Sequence, residues 1–286
     1  MSDPRLTPAN PRVAHISLKG QVEAERFVEG DWRQVVADIL PLLSAPDGKR
    51  ERELIMGEGF CVLEETPDGF AFGFTRRDGY VGWVFADYLA PDWPHTHRVS
   101  AARSFWQELP DIKQSPRIYP LPFGARLQVV ETRDTWARFR LPTTPGTLGP
   151  VEGWIPKVHI SPLDQSFRDP IAVAELFLGT PYVWGGNSSF GIDCSGLVQA
   201  ALMACGTPCP GDSDLQMALG EEVTGDLERG DLIFWKGHVA MVVDEARIIH
   251  ANANDMAVAY EGTDAAIARI EAQGGGKVLA RRRIAM

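Results

Sequence analysis

Hydrophobic positions between residues 13 and 163 come in short runs that alternate with polar positions, and clusters of Gly, Pro, Asp and Thr separate these runs. An alternation with a period of two is typical of β-strands with one buried face. Residues 1–12 contain three prolines and show no periodicity, which predicts a flexible tail. The first half of the chain is therefore predicted to consist of short β-strands.

The strand-rich region contains an imperfect internal repeat. GEGFCVLEET at 57–66 resembles GARLQVVETR at 124–133, since each has a glycine followed by an alternating strand. GYVGWVFADYLAP at 79–91 parallels PVEGWIPKVHISP at 150–162, with a Gly-Trp pair at the same place in both. We expect the glycine to permit a bend and the indole to cover the end of a small barrel.

Two repeats of this size and strand length predict two small β-barrels, at 13–92 and 98–163. They resemble bacterial SH3-like domains, which are modules that commonly accompany cell-wall enzymes. The pattern changes after the linker SPLDQSFRDP, and this change predicts a further domain at 168–286.

Residues 168–286 show helical periodicity first and strand-like runs afterwards. Three helices are predicted over DPIAVAELFLG, DCSGLVQAALMACG and DSDLQMALG. Strands are predicted over DLIFWK (231–236), HVAMVVD (238–244) and ARIIHA (246–251), then a helix over TDAAIARIEAQGG and a strand over KVLARRRIAM. Helices followed by an antiparallel meander predict an α+β domain.

Composition and charge exclude several classes of protein. The 286 residues are 44% hydrophobic and 23% charged, so the chain can bury a sizeable core in two or three domains. The net charge of −10 argues against general nucleic-acid binding, which needs basic patches to neutralise phosphates. No apolar run approaches the roughly 20 residues that span a bilayer, so no membrane insertion is expected.

The N-terminal segment MSDPRLTPANPRVAH lacks the apolar stretch of a secretory signal, and the four cysteines form no compact disulfide or zinc pattern. We therefore expect a cytoplasmic protein in a reducing compartment, without a metal or other cofactor. Cys61, Cys205 and Cys209 are interpreted as packing or surface thiols. The pattern makes no prediction of oligomeric state.

Cys194 lies in GGNSSFGIDCSG, at the predicted start of a helix. Unpaired N–H groups and the macrodipole at that end favour an anion, and a neighbouring histidine can lower a cysteine pKa to roughly 3.5–7.5. Gly196 keeps bulk away from the thiol, and a backbone N–H there is placed to bind an oxyanion. The alternative is a small buried cysteine at a capped helix, and this stretch alone favours neither interpretation.

His238 and His250 are the candidate bases, because both lie in the same predicted domain as Cys194. A two-residue turn between their strands would put them on opposite faces of the sheet. A three-residue loop at 244–246 would place them on one face, one diagonal step apart and within side-chain reach. We therefore predict an odd-length loop or a bulge at this hairpin.

The segment GTPYVWGGNSSFGIDCSGLV, followed by RGDLIFWKGHVAMVVD and IIHA, resembles the NlpC-type family of bacterial cell-wall cysteine peptidases over about 170–285. The resemblance implies a papain-like core with Cys194 as nucleophile and His238 as general base. It also implies that His250 is the third, polar residue, which orients the His238 imidazole. Asn252 is the alternative for that place, since some members have Asn there.

Members of this family cleave amide bonds in peptidoglycan stem peptides, typically between D-γ-glutamyl and a diamino acid. Two SH3-like repeats before such a domain resemble the cytosolic branch that removes L-Ala-D-γ-Glu from stems with a free N-terminal L-Ala. The resemblance thus implies murein peptide recycling through a thioester, with meso-diaminopimelate or L-Lys as the diamino acid. The alternatives are a non-catalytic protein that binds cell-wall peptides, and an amidase or acyltransferase on the same core.

The resemblance also implies substrate-binding residues. Tyr182 matches a tyrosine that lies over the nucleophile, although a packing aromatic would also fit. Asp193, Ser195 and Ser213 match positions that line a pocket for the substrate ammonium group. Two of these residues also have a structural alternative. Asp is a common helix N-cap, which fits Asp193, and Ser213 with Gln216 fits an S-x-x-Q capping box.

The two repeats differ at two positions of interest. The first has Glu58 and Tyr80 where the second has Ala125 and Val151, so the fold does not require the acid or the tyrosine. In the family the first barrel contributes an acid and a tyrosine to the amine pocket, which makes Glu58 and Tyr80 candidates. The alternative is a solvated strand glutamate and a surface aromatic.

Overall fold

In a computed structural model that describes residues 3–142 and 151–285, the chain forms two compact units, Met1–Leu163 and Asp164–Met286. The N-terminal unit begins with a 3-10 turn at Pro4–Leu6, within the segment predicted as a flexible tail. Arg12 then pairs with Glu64 at 2.7 Å. The short strands β1 (Val13–His15) and β2 (Arg26–Val28) form a parallel pair.

The remaining strands of this unit form two seven-stranded sheets. The first contains β3 (Asp31–Val35), β4 (Ile39–Leu43), β5 (Arg50–Ile55), β6 (Gly59–Glu65), β7 (Phe70–Thr75), β8 (Val81–Phe85) and β9 (Leu89–Pro91). The second contains β10 (His97–Val99), β11 (Arg103–Gln107), β12 (Ile118–Pro122), β13 (Arg126–Arg133), β14 (Trp136–Leu141), β15 (Val151–Pro156) and β16 (Ile160–Pro162). Further 3-10 turns lie at Ile16–Leu18, Ala86–Tyr88 and Lys157–His159.

The two sheets have the same strand order. It is β5-β4-β8-β7-β6-β3-β9 in the first sheet and β12-β11-β15-β14-β13-β10-β16 in the second, so the sequence repeat corresponds to a repeated topology. The expectation of closed barrels is corrected, because the hydrogen-bonded order of each sheet is open. The three-residue strands β9 and β16 pair on one side only in the described part of the chain.

The glycines of the two Gly-Trp pairs permit close strand packing in addition to any bend. A Cβ on Gly82 in β8 would lie 2.8 Å from Cγ of Leu42, and one on Gly153 in β15 would overlap the Trp106 ring. Each sheet buries its own apolar cluster, and Met56 of the first repeat packs into the cluster of the second sheet. Trp83 is buried in this unit.

The C-terminal unit combines short helices with one antiparallel sheet. Its helices are α1 (Pro170–Glu175), α2 (Cys194–Ala204), α3 (Ser213–Gln216) and α4 (Thr263–Ala272). Its strands are β17 (Asn187–Ser188), β18 (Gly191–Ile192), β19 (Glu221–Glu222), β20 (Leu232–Trp235), β21 (His238–Val242), β22 (Arg247–Asn252), β23 (Ala257–Gly262) and β24 (Ala280–Arg283). Six of these strands form a sheet in the order β19-β24-β20-β21-β22-β23, and β17 pairs with β18.

The predicted mixture of helices and sheet is confirmed for this unit, and β23 is a strand that the sequence analysis missed. Helix α2 packs on β21 and β22. Ala266 and Ile270 of α4 cluster with Ala240, Val242 and Ile248, which lie on one face of the sheet. In the part of the chain that the structure describes, every helix is too short or too polar to cross a membrane.

Candidate active site

Asp193 organises the turn that leads into helix α2. Its Oδ1 accepts hydrogen bonds from the Gly196 N–H at 2.7 Å and from the Ser195 hydroxyl at 2.9 Å. Its Oδ2 accepts from the Gly185 N–H at 3.0 Å. The predicted N-cap is therefore confirmed. Gly196 has a packing role as well, because a Cβ there would lie 2.5 Å from the Gly186 carbonyl oxygen.

Cys194 is the first residue of α2, and its thiol is buried. Burial, and then the nearby Asp193 carboxylate, raise the pKa of the Cys194 thiol to about 12, although backbone N–H groups including that of Val239 oppose the rise. The sequence predicted a lowered pKa from the helix end and a histidine. Desolvation and the capping carboxylate outweigh the helix dipole here, so the resting thiol is neutral.

His238 and His250 meet on one face of the sheet. Met241 pairs with Ile249 across the β21–β22 hairpin, which confirms the predicted odd-length loop. His238 Nε2 lies 2.9 Å from His250 Nδ1, so one hydrogen bond joins the two imidazoles. Val239, whose N–H faces the Cys194 sulfur, directly follows His238 in β21. The start of this strand therefore brings the thiol and the histidine pair into one region.

Both histidines are held in the neutral form. Burial, and then the neighbouring His250, lower the pKa of His238 to about 3. Burial also lowers the pKa of His250 to about 4. A neutral imidazole has one donor and one acceptor nitrogen, so the direction of the hydrogen bond between the rings decides which nitrogen of His238 is unprotonated.

A charged pair lies behind His250. Glu261 in β23 places Oε2 3.2 Å from His250 Nε2, and it binds Arg269 of α4 through both carboxylate oxygens at 2.9 and 2.8 Å. The hydrogen bond from Arg269 lowers the pKa of Glu261, which is therefore ionised at neutral pH. Glu261 was not among the residues predicted from the sequence, although the alternating AVAYEG run that carries it was a usable strand signal.

Asn252, the alternative third residue, is engaged elsewhere. Its Nδ2 donates to Asp255 Oδ2 at 3.0 Å, and its Oδ1 accepts from the Asp255 N–H at 2.8 Å. These bonds hold the turn between β22 and β23. The residue that the structure brings to His238 is His250.

Tyr182 interacts electrostatically with the Cys194 thiol, and its role above the nucleophile stays a prediction. Burial raises the pKa of Tyr182, and Cys194 and Asp193 raise it further because they are near enough to interact electrostatically. Its backbone N–H donates to the Met256 carbonyl at 2.9 Å. The neighbouring Trp184 is 68% exposed.

The predicted capping box at Ser213 and Gln216 is wrong. Asp212 holds the position before α3, and the Gln216 side chain is drawn away from that helix end. Gln216 Nε2 donates to the carbonyl oxygens of Ser195 at 2.8 Å and Pro210 at 3.0 Å. The bond to Ser195 connects α3, which contains the buried Ser213, to the first turn of α2.

Glu58 and Tyr80 are buried in the N-terminal unit, so the alternative of a solvated glutamate and a surface aromatic is wrong. Glu58 Oε1 accepts from Arg77 Nη1 at 2.8 Å, and Oε2 accepts from the Ile55 N–H at 3.1 Å. Tyr80 is in the core of the first sheet, with the Arg52 guanidinium 5.5 Å from its ring centre. Their role in amine binding stays a prediction.

Comparison with known sequences gives two domain matches. Residues 179–269 match the NlpC/P60 family, and residues 42–89 match the bacterial dipeptidyl-peptidase SH3 domain. Dipeptidyl-peptidase 6 of Lysinibacillus sphaericus is 29% identical over 236 residues, which cover 76% of this chain and 86% of that protein. The gamma-D-glutamyl-L-lysine dipeptidyl-peptidase of Bacillus cereus is 40% identical over 92 residues, or 29% of this chain and 28% of that one.

Comparison with solved structures agrees on the fold. An NlpC/P60 family protein from Bacillus cereus superposes with a TM-score of 0.72 at 20% identity, covering 88% of this chain and 99% of the other. The matches thus cover both units. The chain is therefore a cysteine peptidase with an NlpC/P60 domain and a bacterial dipeptidyl-peptidase SH3 domain.

Proposed function

We propose that the protein hydrolyses the amide bond between γ-D-Glu and a diamino acid in peptidoglycan stem peptides, with Cys194 as nucleophile and His238 as base. The observation that carries this proposal is the 2.9 Å bond from His238 Nε2 to His250 Nδ1, on a strand whose next residue faces the Cys194 sulfur. The names of the relatives, a dipeptidyl-peptidase 6 and a gamma-D-glutamyl-L-lysine dipeptidyl-peptidase, support the substrate class.

The first step forms a tetrahedral adduct between the Cys194 sulfur and the amide carbonyl carbon. His238 Nε2 is taken by His250, so Nδ1 of His238 receives the Cys194 proton as the sulfur attacks the carbonyl carbon. The resting groups are neutral, and thiolate and imidazolium form together because opposite charges at close range stabilise each other. Backbone N–H groups at the start of α2 and the Tyr182 hydroxyl stabilise the oxyanion.

The second step releases the products. Collapse of the oxyanion breaks the C–N bond and leaves the acyl group on Cys194 as a thioester, and His238 gives its proton to the departing amine of the diamino acid. Water then attacks the thioester, with His238 taking its proton, and the Cys194 thiol is restored. The acyl part leaves as L-Ala-D-Glu.

The substrate ammonium is proposed to bind near Asp193, Ser195 and Ser213. An ionised carboxylate offers about four acceptor sites, and Asp193 uses three on Gly196, Ser195 and Gly185. One lone pair therefore stays available for the ammonium group. A requirement for this amine would restrict the enzyme to stems released from the wall, which is a role in murein peptide recycling.

Two finer features of the fold belong to the same proposal. The second sheet is proposed to be a second SH3-like domain, because it repeats the strand order of the first. The C-terminal unit is proposed to have a papain-like core, because a cysteine at a helix start precedes histidines on an antiparallel sheet.

The test is incubation of the full chain with L-Ala-γ-D-Glu-meso-diaminopimelate, with the L-Lys analogue, and with the N-acetylated form of each, followed by mass spectrometry. We expect L-Ala-D-Glu from the peptides with a free amine, little product from the acetylated ones, and none with Cys194→Ala. Equal cleavage of both forms overturns the amine requirement. Binding without cleavage supports a non-catalytic binding protein and overturns the peptidase assignment for these substrates.

A further inference from the structure

We infer that Glu261 is a positioning residue, which sets the protonation pattern of the two histidines. The inference rests on the proposed roles of Cys194 and His238. It adds a fourth side chain to the proposed catalytic set, and it identifies Arg269 as the group that holds that side chain in place. Neither residue touches the reacting atoms.

The geometry is a continuous chain of polar contacts across three strands and a helix. His238 in β21 meets His250 in β22 at 2.9 Å, and His250 Nε2 lies 3.2 Å from Glu261 Oε2 in β23. The register explains the last contact, because His250 pairs with Ala259 and the side chain two residues further along β23 lies on the same face. Arg269 of α4 then donates hydrogen bonds to both carboxylate oxygens of Glu261.

The contact between His250 and Glu261 has the distance of an ion pair and not the angle of a linear hydrogen bond. His250 Nε2 is buried, and it makes no hydrogen bond to any described residue. The His250 side chain is fully buried, whereas that of Glu261 is 17% exposed. The Glu261 carboxylate is the acceptor that the structure places beside this nitrogen, at 3.2 Å.

This arrangement selects one tautomer of each ring. A carboxylate next to Nε2 favours a proton on that nitrogen, so His250 Nδ1 becomes an acceptor. His238 Nε2 must then carry the proton of the 2.9 Å bond, and His238 Nδ1 is left unprotonated. The opposite pattern would protonate Nδ1 of His238 and leave the thiol without a base.

The charged groups around His250 act in opposite directions on its pKa. Glu261 and Asp255 favour the imidazolium, whereas Arg269 and burial oppose it. Loss of the Glu261 charge removes the larger of these two favourable effects and leaves Asp255 to oppose Arg269. The acid limb of the pH–rate profile is then expected to move to lower pH, since both histidines become harder to protonate.

The test compares Glu261→Gln and Glu261→Asp with the wild-type chain in the peptide assay. For E261Q we expect kcat to fall about 10- to 100-fold with KM within twofold, and the acid limb of kcat/KM to move to lower pH. Glu261→Asp keeps the charge, so it is expected to restore the wild-type position of the acid limb and part of kcat. An unchanged acid limb in E261Q overturns the inference.

A matched control lies on the same strand. The Tyr260 hydroxyl donates to Glu175 at 2.8 Å, and Tyr260→Phe removes a polar contact next to Glu261 without changing the charge near His250. We expect wild-type kcat and acid limb for this variant. A loss of kcat in Tyr260→Phe equal to that in E261Q would show that general strain on β23 explains both, and would overturn the inference.

Two further measurements separate this inference from the proposed function. In a His250→Asn background, E261Q should change kcat less than twofold, because Glu261 acts through His250; an undiminished effect overturns the positioning role. The rate of Cys194 alkylation by iodoacetamide against pH needs no peptide substrate. If the peptides are not cleaved at all, the proposed function fails. The alkylation profile then still decides the inference: a shift of the profile in E261Q upholds the role of Glu261, and an unshifted profile overturns it.

Discussion

Two groups of buried ionisable side chains, one in each unit, are stabilised in different ways. In the N-terminal unit, Glu58 and Arg77 are each about one-tenth exposed and neutralise each other at 2.8 Å. In the C-terminal unit, Cys194, His238 and His250 are held neutral by burial, and the two histidines share a single hydrogen bond.

The difference distinguishes an ion pair, whose charges are already compensated, from a set of neutral groups that can still exchange a proton. A buried ion pair satisfies both charges, and changing one partner leaves the other uncompensated. A buried neutral thiol beside a neutral base can transfer its proton to that base, and the transfer takes place when the substrate is bound. We therefore expect changes in the first region to affect folding, and changes in the second to affect chemistry.

The largest expected effect is on chemistry. His238→Gln removes the proposed base while the thiol pKa stays raised by burial, so kcat/KM for peptide cleavage should fall at least roughly 1,000-fold. His159→Gln, in the second sheet, is the control, since its ring bonds to Ser104 at 2.9 Å. Steady-state assays that show more than a tenth of wild-type activity in His238→Gln would remove this residue from the mechanism.

The next effect is on folding of the N-terminal unit. Arg77→Met leaves the Glu58 carboxylate buried without its partner, and the free energy of unfolding should fall by about 3–5 kcal/mol. The double variant Arg77→Met with Glu58→Gln should recover most of this loss, because no buried charge is left over. Denaturant titration measures both, and equal losses in the single and double variants would argue against the ion-pair account.

A smaller effect follows from the depressed pKa values of the two histidines, about 3 and 4 against an ordinary 6.5. Between about pH 4 and pH 6.5 the two histidines bind more protons in the unfolded chain than in the folded one. Their contribution to stability is therefore fully present above pH 6.5 and is lost as the pH falls below that value. His238→Gln should remove from this slope an amount that rises to about 1.4 kcal/mol per pH unit as the pH falls towards 5. Unfolding titrations from pH 7 to pH 5 measure it, and parallel slopes for variant and wild type would refute it.

The smallest effect is expected at an exposed ion pair in the second sheet. Arg138 and Glu152 approach to 2.7 Å at the surface, where solvent screens their attraction. Glu152→Gln should leave the denaturation midpoint within experimental error. A shift as large as that in Arg77→Met would mean that burial does not distinguish the two pairs.

The sequence predicted the parts of this account that depend on local pattern. The parity of the β21–β22 loop placed His238 and His250 on one face, and the residue type of Asp193 indicated the helix cap. Both rules need only neighbouring positions along the chain.

The parts that it did not predict depend on partners distant in sequence. Glu58 is buried because Arg77, 19 positions away, neutralises it, and no local pattern indicates that pairing. Gln216 fits a capping box in sequence but bonds to the Ser195 carbonyl 21 positions away. The raised pKa of Cys194 likewise comes from burial, which the residues around the helix start do not reveal.

The most direct test of the central claim is the site of the covalent intermediate. The full chain is mixed with L-Ala-γ-D-Glu-meso-diaminopimelate, quenched with acid within the first turnover, digested, and analysed by mass spectrometry. The account predicts an L-Ala-γ-D-Glu acyl group on Cys194 that disappears on longer incubation and is absent in Cys194→Ala. Acylation at Cys61, Cys205 or Cys209, or turnover by Cys194→Ala, would contradict it.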